Sequence, residues 1–136
     1  MRPRLILARI TSEAGDEHWR TQMTVGRHEI LGDEPETLGG GDLGPPPFAY
    51  LLAGLVSCTS VTVRMYAEKH AIPLQRIEVD AKALRNEEEG INSIERQVRL
   101  IGDFDDSDRA KLESVAERTP VTLAIKEGLA MTSTYK

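Results

Sequence analysis

One long apolar segment, from about Pro47 to His70, constrains the fold of this chain more than any other feature. Its apolar residues recur at helical spacing, and between Phe48 and Cys58 they cover nearly the whole circumference, which is typical of a helix buried on every side. A helix of this length would be roughly 35 Å long at 1.5 Å per residue. A chain of 136 residues does not readily cover such a helix alone. We therefore expect a second subunit to cover part of it.

Strand-like segments lie on both sides of this helix. The predicted strands are Leu5–Ala8, Gln22–Val25 and His28–Leu31 before it, then 77–84, 94–100 and finally Leu129–Tyr135. A turn at Asn86–Gly90 separates the fourth strand from the fifth. The loop from Gly32 to Pro47 holds five glycines and four prolines, and loops of this length are often functional.

Two short helices are predicted between the last two strands. Acidic residues and Ser107, a capping hydroxyl, crowd the start of the first at Asp105–Asp108, where the helix dipole favours them. Thr119 is the predicted N-cap of the second, with Pro120 at its first position. The order βββ–α–ββ–αα–β predicts an α+β protein, and the length predicts a single domain over residues 1–136.

Composition and charge narrow the function classes. Seventeen basic and 22 acidic residues leave a net charge of −5 without a basic cluster, so we expect no nucleic-acid partner. The apolar stretch before Arg9 is too short for a secretory signal, and Pro45–Val56 is too short to span a bilayer. The sequence therefore predicts a cytoplasmic protein with no membrane partner.

The chain shows few candidates for a metal or cofactor site. His18, His28 and His70 lack paired spacing, so we predict no metal, although a site that also uses Asp33 or Glu34 is a less favoured alternative. No phosphate-binding glycine loop is present, and we expect no cofactor. The single cysteine excludes an intramolecular disulfide and a zinc site built from several thiolates.

Cys58, in the long helix, is the candidate nucleophile. Its neighbours three and four residues away on an ideal helix are Gly54, Leu55, Val61 and Thr62. Such apolar surroundings raise the pKa of a thiol, so spacing alone favours an inert core cysteine over a reactive one. A reactive thiol would need a cation from elsewhere in the fold. Arg20 and Arg27 are the candidates, with Arg96 a weaker one.

One set of motifs extends from Asp33 to Val121. Its members are Asp33-Glu-Pro, Gly39-Gly, Gly44-Pro-x-Pro47-Phe-x-x-Leu51-Leu-Ala-x-Leu55-x-Ser57-Cys58-Thr59, Thr62-Val-Arg64-Met-Tyr66-Ala-Glu68, Ile94-Glu-Arg96 and Ala116-Glu-Arg-Thr-Pro-Val121. This set resembles the signature of the OsmC/Ohr family, the osmotically inducible and organic-hydroperoxide-resistance proteins. The resemblance implies an OsmC-like α+β fold in which two subunits intertwine as a homodimer, with long central helices packed together and strands wrapped outside.

The resemblance also implies thiol peroxidase chemistry. In the family, one cysteine attacks the peroxide, a second cysteine closes a disulfide, an external dithiol restores the pair, and an arginine held by a glutamate activates the first thiol. Cys58 falls on the attacking position. The family's Cys-Pro-Val-His segment is here Thr119-Pro-Val-Thr122, and Ala49 stands where the glutamate is expected. A hydroxyl cannot form a disulfide, so resolution within the chain is excluded.

Two hypotheses about function follow. In the first, Cys58 reduces an organic hydroperoxide and an external thiol reductant resolves the oxidised cysteine. In the second, the same dimeric scaffold is not catalytic and binds a small apolar ligand at the subunit interface. The motivation for this hypothesis is that Ala49 and Thr119 replace the glutamate and the second cysteine of the family.

Overall fold

The computed structural model describes residues 3–136, apart from the side chains of residues 91 and 92. Its elements are strands and helices in the order βββ–α–ββ–αα, which confirms the predicted α+β class. Residue contacts divide the chain into two compact units, Met1–Tyr50 and Leu51–Lys136. The two units are described separately below.

A three-stranded antiparallel sheet forms the first unit. Its strands, in the order β1–β2–β3, are β1 (Thr11–Glu13), β2 (Thr21–Val25) and β3 (His28–Gly32). The predictions for the second and third strands are confirmed, but the first strand lies at Thr11–Glu13 and not at Leu5–Ala8. The register explains the error. Thr11 pairs with Thr24 near the end of β2, so residues before Thr11 run past the edge of that strand.

The loop after β3 is organised around the side chain of Asp33. This carboxylate is 4% exposed and accepts hydrogen bonds from the backbone N–H groups of Glu34 at 2.7 Å and Leu43 at 3.1 Å. These two bonds lower the pKa of Asp33, burial opposes them, and the Gly41 N–H and the charge of Arg20 lower it further. Asp33 therefore holds both ends of the glycine-rich segment as a carboxylate.

We expect Asp33→Asn to lower the thermal unfolding midpoint at neutral pH. Because the folded-state pKa of Asp33 is lowered, its stabilisation is fully present above the ordinary Asp pKa of about 4 and disappears as the pH falls through the lower folded value. Thermal melts across this pH range should show the wild-type advantage shrinking in acid. Asp16→Asn, at an exposed turn position, is the control. Equal midpoints of wild type and Asp33→Asn at neutral pH would contradict this role.

A helix, a long hairpin and two short helices follow. Their bounds are α1 (Pro47–Lys69), β4 (Leu74–Asn86), β5 (Gly90–Gly102), α2 (Asp106–Ala116) and α3 (Pro120–Glu127). The long helix was predicted to within one residue. The hairpin is antiparallel, and its turn lies where predicted, between Asn86 and Gly90, which has a φ of +81° that glycine adopts without strain.

The core of the second unit lies between α1, the hairpin and α2. Its buried residues are Val63, Ala67, Ile72, Leu74, Leu100, Leu112, Val115 and Ala116. On α1 the buried positions recur every four residues, at Leu55, Thr59, Val63 and Ala67, and so form one side of the helix. This arrangement fixes which side of α1 faces the hairpin.

Side-chain caps begin both short helices. Asp105, and not Ser107 as predicted, is the N-cap of α2, because its carboxylate accepts the N–H of Asp108 at 2.8 Å. Thr119 is the N-cap of α3, where its hydroxyl accepts the N–H of Thr122 at 3.2 Å and Pro120 opens the helix. The second cap was predicted correctly. It also sets the position of the Thr119 hydroxyl.

The single chain leaves one side of α1 exposed, so the prediction of a helix buried on every side is wrong for one subunit. Val61 is 50% exposed and Met65 is 65% exposed. By length and composition alone α1 could cross a membrane, and only 17% of its most apolar window is buried. Its apolar circumference exceeds what one hairpin and one short helix can cover.

The predicted final strand is also absent from the described chain. Helix α3 ends at Glu127 with Gly128 as its C-cap, and the segment from Leu129 to Tyr135 forms no strand, with Leu129, Met131 and Tyr135 at least 80% exposed. Alternating side chains give a segment one apolar face, but a strand also needs a neighbouring edge to pair with. No described strand pairs with this segment.

Candidate functional site

Cys58 lies on α1 next to the beginning of α3. Its Sγ is 3.8 Å from the hydroxyl of Thr62, one helical turn away, and it also receives hydrogen bonds from the Thr119 hydroxyl and the backbone N–H of Val121. The thiol is partly exposed and not a fully buried core cysteine. Spacing along α1 had indicated apolar surroundings. That expectation is wrong because α3, which is distant in sequence, supplies polar groups.

The hydrogen bonds outweigh burial in their effect on the thiol. Burial raises the pKa of Cys58, while the Val121 N–H and the hydroxyls of Thr119 and Thr62 lower it, and the net result is a pKa below the ordinary thiol value. All three donors stabilise the thiolate more than the thiol. The beginning of a helix also favours a negative charge. The site therefore shifts the ionisation equilibrium of Cys58 toward the thiolate.

Three buried threonines form a polar cluster beside this thiol. Thr59, Thr119 and Thr122 come from α1, the cap of α3 and α3 itself. The hydroxyl of Thr59 donates to the backbone carbonyl of Leu55 at 2.7 Å. The hydroxyls of Thr119 and Thr122 are 2.6 Å apart and share a hydrogen bond. Buried hydroxyls need partners, and each of these has at least two.

The side chain of Arg96, on β5, joins this cluster together. Its Nη1 donates to the hydroxyls of Thr59 and Thr122, both at 2.9 Å. Its Nη2 donates to the carbonyl of Ala116 at 3.0 Å and to the carboxylate of Glu117 at 3.3 Å. The carbonyl marks the end of α2, where the helix dipole favours a cation. The guanidinium thus connects α1, α2, α3 and β5.

The arginines predicted in the N-terminal strands lie in the first unit, and Cys58 lies in the second. Arg20 forms an ion pair with Glu17, and its charge acts on Asp33. Arg27 is exposed in the turn between β2 and β3. Their action on Cys58 stays a prediction.

Two further sequence expectations concern Ala49 and metal binding. Ala49 lies in the first turn of α1, so no carboxylate is present at the family's glutamate position. Among residues 3–136, no group of three or more histidine, cysteine, aspartate or glutamate residues is placed to hold a metal ion.

Sequence reasoning underrated Arg96 and missed Thr59. One signal was available for Arg96: it alternates with Ile94, Val98 and Leu100, so it lies on the same face of β5 as the apolar residues. A charge on that face must find partners. No comparable signal marked Thr59, because a threonine within a helix is ordinary.

The sequence matches the family model described as OsmC-like protein over residues 39–134, which is more than two thirds of the chain. This chain belongs to the OsmC-like family. The match includes Cys58, Arg96 and the three threonines of the cluster. By sequence, no curated protein matches the chain.

Solved structures share the fold of this OsmC-like chain. An OsmC-like protein from Mycoplasma pneumoniae has a TM-score of 0.75 at 17% identity, with 89% of this chain and 88% of that one covered. The organic hydroperoxide resistance protein OsmC from Legionella pneumophila, described as a predicted redox protein, has a TM-score of 0.70 at 18% identity over 92% and 93%. OhrB of Bacillus subtilis, an organic hydroperoxide resistance protein, has a TM-score of 0.60 at 21% identity over 92% and 94%.

These matches confirm the OsmC fold predicted from the central motif. At such identities the structural likeness shows the fold alone, while membership of the family rests on the sequence match. The OsmC-like family is one of soluble proteins, so α1 is the central helix of a soluble protein and not a membrane span.

Proposed function

We propose that this OsmC-like protein is a one-cysteine thiol peroxidase that reduces organic hydroperoxides. The observation that carries the proposal is the environment of Cys58: a partly exposed thiol that receives three hydrogen bonds and has a lowered pKa. Two of the three structural neighbours described above are named for organic hydroperoxide resistance, which supports the substrate class. Membership of the OsmC-like family supports the redox role.

The proposed reaction needs an external thiol. The thiolate of Cys58 attacks the terminal oxygen of the hydroperoxide, the O–O bond breaks, and the alkoxide takes a proton from water to leave as the alcohol. Cys58 is then a sulfenic acid. An external thiol condenses with it to a mixed disulfide and releases water, and a second external thiol restores Cys58 and leaves as a disulfide.

The position of Thr119 explains why the reductant must come from outside. Thr119 contacts Cys58 through a hydrogen bond, yet its hydroxyl cannot form a disulfide. With a single cysteine in the chain, no other thiol of the same subunit is available. The oxidised form therefore persists until an external thiol reaches it.

We expect the reduced protein to consume tert-butyl hydroperoxide, with Cys58 gaining one oxygen atom by mass spectrometry. Cys58→Ser should reduce the rate to that of protein-free buffer, because a hydroxyl is a much weaker nucleophile than a thiolate. Since the pKa of Cys58 is lowered, the rate should rise with pH, and the midpoint of this rise should lie below the ordinary pKa of a thiol. Equal consumption by wild type and Cys58→Ser would refute the proposal.

The competing proposal is a non-catalytic scaffold that binds a small apolar ligand at the subunit interface. The exposed apolar residues of α1 near Cys58, such as Val61, favour it. In that case Cys58 would stay reduced in hydroperoxide, and an apolar ligand such as a fatty acid would raise the thermal midpoint. Rapid oxidation of Cys58 with no shift by such ligands would exclude it.

We further propose that the protein is an intertwined homodimer of single OsmC-like domains in the cytoplasm. The exposed side of α1 and the exposed apolar residues of the two ends, such as Leu7 and Leu129, support a second subunit. Among the described residues, neither Leu5–Ala8 nor Leu129–Tyr135 forms a strand in the single chain, and a partner's sheet edge would supply one to pair with. The lack of a basic cluster supports a protein without a nucleic-acid partner.

A further inference from the structure

Arg96 lies at one end of a chain of hydrogen bonds whose other end is Cys58. Its side chain is only 12% exposed, so its charge is largely removed from water. The distances along the chain are 2.9 Å from Arg96 Nη1 to Thr122 Oγ1 and 2.6 Å from there to Thr119 Oγ1. Thr119 then contacts the sulfur of Cys58. Charge and thiol are thus joined through two buried hydroxyls.

The direction of these hydrogen bonds follows from donor chemistry. A guanidinium can only donate, so the hydroxyl oxygen of Thr122 must accept from Arg96. The proton of Thr122 then has two acceptors in reach: Thr119 Oγ1 at 2.6 Å, and the Ala116 carbonyl at 3.4 Å, which already accepts from Arg96. The shorter bond goes to Thr119. Because Thr119 also accepts the Thr122 N–H, its own proton is left to point at Cys58.

We propose that Arg96 is a positioning residue for Cys58, which orients the hydroxyls of Thr122 and Thr119 so that Thr119 donates a hydrogen bond to the thiolate. This inference rests on the proposed peroxidase function, in which the thiolate is the attacking species. Arg96 touches neither the sulfur nor the substrate in this scheme. It acts only through the two threonines.

The same hydroxyls can also form hydrogen bonds with the protonated thiol, because each hydroxyl can rotate and reverse its direction of donation. The S–H of Cys58 then donates to Thr119, Thr119 donates to Thr122, and Thr122 donates to the Ala116 carbonyl at 3.4 Å. That last bond is long, so this direction is weaker than the one that begins at Arg96. When Cys58 loses its proton to water, the chain reverses and the positive end stabilises the new charge. No proton passes along the chain.

The charged groups around the cluster agree with this direction. Arg96 from β5 is the buried charge, while Glu117 at the end of α2 is 62% exposed and is shared with Lys126 of α3 at 3.1 Å. On α1, the guanidinium of Arg64 is turned to the backbone carbonyls of Leu74 and Gln75. The lowered pKa of Cys58, to which the Thr119 hydroxyl contributes, is in line with the scheme.

The test is Thr122→Val, which removes the central hydroxyl and keeps the size of the side chain. The matched control is Thr59→Val, because Thr59 accepts from the same Nη1 at the same 2.9 Å but gives its own proton to Leu55. The pKa of Cys58 is read from the pH dependence of alkylation by iodoacetamide. Circular dichroism establishes that each variant is folded.

We expect Thr122→Val to raise the pKa of Cys58 and to slow alkylation at pH 7 by roughly threefold to tenfold, since one unit of pKa is a factor of ten in thiolate. At pH values well above the pKa, the alkylation rate of Thr122→Val should equal that of wild type. A mere loss of structure around Cys58 would change this rate as well. Thr122→Ser should restore the wild-type profile, and Thr59→Val should leave it unaltered.

Two outcomes would overturn the inference: an unchanged profile in Thr122→Val, or equal shifts in Thr122→Val and Thr59→Val. The proposed function is judged separately, by consumption of tert-butyl hydroperoxide in the same preparations. A raised pKa in Thr122→Val with no peroxide consumption by wild type would keep the positioning role and refute the peroxidase. Peroxide consumption by wild type together with an unchanged Cys58 pKa in Thr122→Val would keep the peroxidase and refute the positioning role.

Discussion

Replacing Thr119 by cysteine is expected to let the chain form an intramolecular disulfide, which the natural sequence cannot do. Thr119 already touches the sulfur of Cys58 through its hydroxyl, so a thiol at this position is placed to attack an oxidised Cys58. The sulfenic acid would condense with the new thiol, forming an S–S bond and releasing water. After one equivalent of tert-butyl hydroperoxide, Thr119→Cys should be lighter than its reduced form by two hydrogen atoms. Wild type should instead gain oxygen.

The effect on stability gives a second readout. Loss of the Thr119 cap costs about 1 kcal/mol in the reduced variant. Closing a loop of roughly 60 residues stabilises the oxidised variant by about 4 kcal/mol in the chain-entropy estimate. The melting temperature should therefore rise clearly on oxidation. Thr119→Ser, which keeps a hydroxyl, is the control and should show no such rise. A variant that oxidises at Cys58 yet retains a free thiol at position 119 would contradict the placement of α3.

Placing a carboxylate at the centre of the exposed side of α1 is expected to dissociate the proposed dimer. Val61 is 50% exposed in the single chain, and Leu51 and Met65 lie on the same side of the helix. In a dimer built on this surface, Val61→Glu would bury one charge from each subunit, at a cost of several kcal/mol per charge. A loss of about 3 kcal/mol in the free energy of association is by itself enough to raise the dissociation constant of the dimer more than a hundredfold.

Sedimentation at micromolar concentration measures this effect. Wild type should sediment as a dimer and Val61→Glu as a monomer. Ala110→Glu, which adds the same charge at an exposed position of α2, should remain a dimer. A monomeric wild type, or a Val61→Glu protein that is as dimeric as the control, would show that this side of α1 is not the interface.

Much of the fold could be predicted because local patterns determine it. The apolar run and its opening proline defined α1, the alternation on either side of Asn86–Gly90 defined the hairpin, and a threonine before Pro120 defined the start of α3. Each of these signals lies within the element that it predicts. The same reasoning failed at Leu5–Ala8 and Leu129–Tyr135. There the alternation was present, but a strand also depends on an edge supplied from elsewhere.

The candidate site shows the same difference between local patterns and contacts made by elements that are distant in sequence. The sequence by itself determined that the chain is OsmC-like, that Cys58 is its only thiol, and that no disulfide can close within it. Only the tertiary structure decided what surrounds that thiol, since Thr119 and Val121 are more than sixty positions away and Arg96 is 37 positions from Thr59. Spacing along one helix describes neighbours within a turn. The pKa of a thiol depends on every donor within a few ångströms, whichever element it comes from.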